Sequence, residues 1–158
     1  MRVADSDNTL IAHNLFGYVS GELVVAKVAT DRTLNGRRLT STRNRFLNNL
    51  VIDQGKTIDS SDPSNVADHN VYVSTHENSA PVKDSGEHSI SIYAEVKFDP
   101  VEMQLSWKIA QPLPTVPAVD YCAEDFFKRK RAIGNTVAGP FTALTNSATL
   151  QMADPEGE

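Results

Sequence analysis

Four arginines, Arg32, Arg37, Arg43 and Arg45, lie within fourteen positions of a chain whose net charge is -5. Guanidinium groups match phosphate oxygens bidentately, and the Thr, Ser and Asn residues between these arginines add neutral hydrogen-bonding groups. The chemistry expected of them is non-specific contact with nucleic-acid phosphates or another polyanion. Positive charge as a whole is concentrated in two places. Seven of the 15 Lys and Arg residues fall between Lys27 and Lys56, opposed there only by Asp31 and Asp53, and four more form the run Lys128, Arg129, Lys130, Arg131. From Asp59 to His88 the balance reverses, with six carboxylates against Lys83. A surface segregated in this way suits a polyanion or neighbouring copies meeting plus to minus. The run 128 to 131 is a second basic patch, although the end of a helix collects Lys and Arg for dipole reasons alone.

Other reactive constellations are weaker. His69, His76 and His88 sit in or beside the acidic stretch, with Asp68, Glu77 and Glu87 adjacent to them. None of the histidines has helical i, i+4 spacing, no cysteine joins them, and no calcium-loop pattern is present, so neither a metal nor a cofactor is expected. There is no Gly-x-Ser-x-Gly elbow and no phosphate loop, and Cys122 falls among apolar residues. The chain is therefore read as a non-enzyme, with an unrecognised enzyme as the third possibility.

The elements that must position these residues follow from periodicity. Ile90, Ile92, Ala94, Val96 and Phe98 alternate with polar residues, then Asp99-Pro100 turns the chain and Met103, Leu105, Trp107 and Ile109 alternate in the same way. This predicts an antiparallel hairpin with one apolar face. Asn35-Gly36 predicts a two-residue hairpin turn that pairs Leu34 with Arg37, Arg32 with Leu39, Thr30 with Ser41 and Val28 with Arg43. Arg32, Arg37, Arg43 and Arg45 would then share one face. Asn70 to Ser74 reads as a short strand, and Phe46 to Ile52 as a continuation of the hairpin arm or a strand of its own.

Beyond the extended connector at Pro112, Pro114 and Pro117, a helix is expected. Asp120 can cap it, Glu124 and Asp125 sit early, the basic run sits late, and Gly134-Asn135 stops it. Cys122, Phe126 and Ile133 would form its apolar stripe. Residues 142 to 152 fit a strand or a short helix, and no internal repeat is evident. The expected architecture is thus α+β, mainly antiparallel sheet followed by a C-terminal helix, in a single domain 1-158 with an acidic tail at 153-158. At 158 residues the chain is long enough for one core. One cysteine excludes internal disulfides, and no apolar run is long enough for a signal peptide or a membrane span, which points to a cytoplasmic or virion location.

The order of strands first and helix last, with Ile92-Tyr93-Ala94-Glu95-Val96-Lys97-Phe98 as a late central strand, resembles the coat proteins of single-stranded RNA phages. That resemblance implies an N-terminal hairpin and sheet, C-terminal helices that interlock two subunits, and sheet side chains facing packaged RNA. The leading expectation is a self-assembling structural subunit of viral coat type, forming a homodimer or larger assembly. The alternative is a β-rich module that binds a small ligand or an acidic protein.

Overall fold

The computed structural model describes residues 2–17, 23–27, 31–53, 58–60, 62–77, 88–142 and 146–152. Its organising feature is a tripeptide that occurs three times: Ala12-His13-Asn14, Leu47-Asn48-Asn49 and Asp68-His69-Asn70. The middle residue of each has left-handed backbone, with φ of 56°, 56° and 53°. His and Asn tolerate that region better than most residues. Each tripeptide is therefore a corner between two short strands.

Three coils result. The first holds β1 (Arg2–Ala4), β2 (Leu10–Ala12) and β3 (Leu15–Gly17). The second holds β4 (Val24–Lys27), the hairpin β5 (Thr33–Leu34) and β6 (Arg37–Arg38), then β7 (Arg45–Leu47) and β8 (Leu50–Ile52). The third holds β9 (Ile58–Ser60), β10 (Val66–Asp68) and β11 (Val71–Ser74). Each strand pairs in parallel with its counterpart one coil away, giving the sheets β1-β4-β9, β2-β7-β10 and β3-β8-β11. Side chains from all three sheets, among them Val3, Val24, Phe46, Val51, Ala67 and Tyr72, meet in one core. This is a short parallel β-solenoid, in which each coil contacts only its neighbours.

The third sheet then grows sideways by β12 (Ile90–Asp99), β13 (Gln104–Ile109) and β16 (Ser147–Gln151). β12 joins β11 in parallel, whereas β12-β13 and β13-β16 are antiparallel. The face of this sheet turned away from the coil core carries Leu50, Ile52, Val71, Val73, Ile92, Ala94, Leu105, Trp107 and Ile109. It is covered by Leu113, Val116, Ala138 and Phe141, a layer that includes the pair β14 (Thr115–Pro117) and β15 (Asn135–Val137). Gly139, at φ +85°, closes this layer on the solenoid. A Cβ there would lie 2.8 Å from Leu50 Cβ, and its N–H donates to Asn48 O.

Several expectations hold. The hairpin of β12 and β13 forms with the predicted faces, and Asp99 caps its turn by accepting from the amides of Val101 and Glu102. Asn35 and Gly36 take the positive φ of a two-residue turn, with Leu34 opposite Arg37 and Leu39 N–H donating to Arg32 O. Of the two readings left open for residues 142 to 152, the strand is the one that forms, over 147 to 151.

The fold class does not hold. The described residues are all β, and the sheets are mixed rather than mainly antiparallel, so the helix-interlocked sheet implied by the coat-protein resemblance is absent from them. In place of the C-terminal helix, residues 120 to 133 make turns with an isolated bridge between Glu124 and Lys130. Tyr121 and Lys128 both sit at positive φ, which an α-helix cannot pass through. Asp125 takes the amides a helix would need, its Oδ1 accepting from Phe127 N and Arg129 N and its Oδ2 from Thr142 N and Oγ1. The expected apolar stripe is also lost, with Ile133 fully exposed and Phe126 half-exposed, while Phe127 stacks on Phe141. The absence of a repeat is corrected by the three corners. The 153-158 tail lies outside the described residues.

Asn14, Asn49 and Asn70 form a ladder through the corners. Asn49 Oδ1 accepts from Asn14 N at 2.9 Å, and its Nδ2 donates to Ile11 O of the preceding coil at 3.1 Å. Asn70 repeats both bonds one coil on, to Asn49 N and Phe46 O. A second ladder runs from Thr9 through Asn44 to Asn65, with Asn44 accepting from Thr9 N and Asn65 from Asn44 N. Replacing Asn49 by Ala strands a donor and an acceptor in a buried corner, which costs about 3 kcal/mol by the usual penalty for unmade buried bonds. Asn14→Ala, at the outer coil, is expected to cost less than half as much in urea-unfolding measurements, and equal losses would show that the ladder does not hold the coils.

Candidate functional site

The outward side of the β2-β7-β10 sheet carries the most concentrated polar chemistry. Phe46 points into the coil core, so its neighbour Arg45 points out of β7, and Arg43 projects from the left-handed turn before it, where its amide donates to Ser64 Oγ. Both line an open cleft of about 540 Å³ with Asn8, Asp68, His69 and the chain at Pro117. His69 also lines a neighbouring cleft with His88 and Ile90. The corner of coil three thus stands between two depressions.

At that corner Asp68, His69 and His88 converge. Asp68 Oδ1 accepts the backbone amides of His69 and His88, both at 2.9 Å. Its Oδ2 is left facing the two imidazoles, with Nδ1 of His69 at 3.1 Å and Nδ1 of His88 at 3.0 Å. The rings stack at a centroid distance of 4.6 Å and an angle of 15°. Burial pushes the Asp68 carboxyl up, yet the His88 ring and the two amides more than offset this and hold it below the usual carboxylate range.

The structure divides the four arginines that were expected to share one face. Arg43 and Arg45 line the cleft beside Asp68 and His69. Arg37 lines another depression with Asp5, Asp7 and Arg38, and Arg32 lies at the base of the same hairpin. The separation arises because, beyond the bond from Leu39 N to Arg32 O, the chain turns through Arg43 to enter β7; of the predicted pairs Thr30–Ser41 and Val28–Arg43, Thr30 and Val28 lie outside the described residues. Arg38 pairs with Asp31 on the exposed surface.

The basic run also disperses. Lys128 occupies a left-handed turn, Arg129 lies over the Phe127 ring at 5.0 Å, and Lys130 sits in the bridge to Glu124. Arg131 turns inward and ties the turn at Glu124 to the stretch 136 to 141, donating to Glu124 O, Thr136 Oγ1, Phe141 O and Gly139 O. Its role is structural. Sequence spacing alone had placed His69 and His88 in one charged stretch, but their convergence needed the corner, because nineteen positions separate them in sequence.

His13 occupies in coil one the place that His69 occupies in coil three, with the opposite environment. It is 6% exposed, accepts from Asn48 Nδ2 at Nε2 and lies 3.3 Å from Gly139 O through Nδ1, so the tautomer carries its proton on Nδ1. Burial, reinforced by the nearby Arg131, lowers its pKa to about 4.

Among the described residues no helix is long and apolar enough to cross a membrane. No family model, curated protein or solved structure matches the chain.

The His13 shift has a definite sign. Unfolded, His13 takes up a proton near its ordinary value of 6.5, whereas folded it resists until about 4. Stability from this residue is complete above pH 6.5 and is lost as the pH falls toward 4, by roughly 3 kcal/mol in all. Urea-unfolding free energies measured between pH 7 and 4 are expected to decline along this limb, and His13→Gln is expected to flatten it. A wild-type and a variant with parallel profiles would remove His13 as the source.

Proposed function

We propose that this chain is a non-enzymatic, self-associating structural module, in which two copies join through the outer edge of coil one. The observation that carries the reading is the state of that edge. Among the described residues, β1, β2 and β3 each have a strand on one side only, and all three belong to the same coil. Thr9 O and His13 N engage coil two, so by alternation the backbone groups of Leu10 and Ala12 face outward; likewise Asn14 O engages Leu50 N, which turns those of Leu15 outward.

The core is also unfinished there. Ile11 and Phe16 are only half-buried, whereas Phe46 and Val51, opposite them in coil two, are fully buried. An exposed strand edge beside apolar side chains is a template for pairing with another chain. A two-fold arrangement of coil one against coil one presents identical edges to each other and closes after two copies.

Polyanion contact through a single four-arginine face receives no support from the geometry, because Arg32 and Arg37 stand on the hairpin and Arg43 and Arg45 in the cleft. The shape of the chain supports assembly more directly than any bound polymer.

The test is the mass of the purified chain, measured by light scattering between 1 and 100 µM, chosen as roughly the range over which a modest dimer dissociates. Dimer at the upper end is expected. Leu10→Pro, which removes an outward donor, and Leu10→Lys, which charges the edge, are each expected to leave folded monomer, as judged by an unchanged circular dichroism spectrum. A wild-type chain that stays monomeric throughout, or dimers indifferent to both changes, would sink the proposal.

A further inference from the structure

The convergence of Asp68, His69 and His88 has no role in the assembly reading. We infer that these three residues form a binding site for a divalent transition-metal ion of the zinc type.

The donor set is the first ground. Two imidazole nitrogens and one carboxylate oxygen, all within 4.8 Å of one another, are the mixed ligands that zinc takes, whereas calcium and magnesium select sets made of oxygen. The spacing is the second. A tetrahedral ion with bonds near 2.0–2.1 Å holds its donors about 3.3 Å apart. The two nitrogens stand 3.1 and 3.0 Å from Asp68 Oδ2, close to that separation, and because the rings stack at an angle of 15° the more exposed His88 ring must turn for both Nδ1 lone pairs to meet at one ion.

Preparation of the carboxylate is the third ground. Asp68 Oδ1 is already held by two backbone amides, which orient Oδ2 toward the imidazoles without using it. Such outer contacts orient ligating carboxylates at metal sites. Without an ion, Asp68 Oδ2 is hydrogen-bonded to His88 Nδ1 at 3.0 Å and faces His69 Nδ1 at 3.1 Å. Ligation through Nδ1 requires each neutral imidazole to carry its one proton on Nε2.

Accessibility completes the argument. The His69 side chain is 27% exposed and that of His88 is 63% exposed, so the ion can enter from solvent and keep a fourth position for water. The cleft bearing Arg43 and Arg45 adjoins this position, which would favour an anionic fourth ligand over a neutral one.

The experiment uses the full chain, freed of metal with a chelator and titrated with Zn²⁺ by calorimetry, and its melting temperature with and without the ion. One zinc per chain and a raised melting temperature are expected. His88→Ala and His69→Asn, the latter chosen because Asn tolerates the left-handed corner, are each expected to weaken binding at least tenfold and to abolish the thermal shift. His76→Ala, outside the cluster, should match the wild type. No binding to the wild-type chain, equal binding by His88→Ala, or loss of binding in His76→Ala would each overturn the assignment. None of these readouts depends on the oligomeric state, so the metal site and the assembly reading stand or fall separately.

Discussion

Every corner of the solenoid must satisfy backbone amides that no strand can reach. A residue in left-handed conformation turns the chain between two strands, and the amide that follows it lies inside the protein, away from water. Leaving it unpaired would cost as much as a lost hydrogen bond, so the coil needs an acceptor on its neighbour. Asn49 and Asn70 supply one with Oδ1 and take back a carbonyl with Nδ2, binding each coil to the one before it. Asn44 and Asn65 do the same at the opposite bend. Parallel register, corner position and coil spacing all follow from these reciprocal amide bonds. The apolar core fills the space they define.

The same constraint explains how coils of unequal length stack. Counterpart asparagines are 35 positions apart between coils one and two and 21 apart between coils two and three. The surplus in coil two contains the β5-β6 hairpin, which falls between β4 and the ladder position Asn44. An insertion that leaves both ladder positions in place costs little beyond loop closure, which grows slowly with length. Asp125 solves a related problem in the covering layer. Its carboxylate gathers four donors from Phe127, Arg129 and Thr142, and so fixes a compact turn where the charge order suggested a helix.

Legibility in the sequence tracks how local the cause is. The β12-β13 hairpin was readable because its determinants, strict alternation and a proline turn, lie within twenty residues. The Asn35-Gly36 turn was readable for the same reason. The solenoid was not, because its signal is His13-Asn14-Leu15 answered by Asn48-Asn49-Leu50 and again by His69-Asn70-Val71 at unequal intervals, and a search for a fixed period passes over it. Each short strand taken alone has three or four residues, too few for periodicity to decide. The apparent helix failed for a different reason. Helix-compatible charge order in residues 120 to 133 was real, but Asp125 competes for the backbone amides of Phe127 and Arg129, and together with its two bonds from Thr142 this outweighs weak intrinsic propensity.

The corner also explains why reactive side chains gather where they do. A left-handed position favours Asn, Asp and His over other non-glycine residues, so the feature that turns the chain places imidazoles in register from coil to coil. What distinguishes them is cover. The layer around Gly139 and Pro117 closes over the first and second coils, where His13 and Asn48 hydrogen-bond inward to it. At the third coil the position opens, and β12 enters the sheet with Ser89 Oγ accepting from Asn70 N and Ile90 N donating to Asn70 O, which sets His88, two residues before the paired strand begins, against His69. His69 therefore meets a second imidazole instead of a carbonyl, over a carboxylate whose other oxygen is already satisfied. A scaffold device repeated for backbone reasons becomes a ligand set at the single coil where the sheet changes partner.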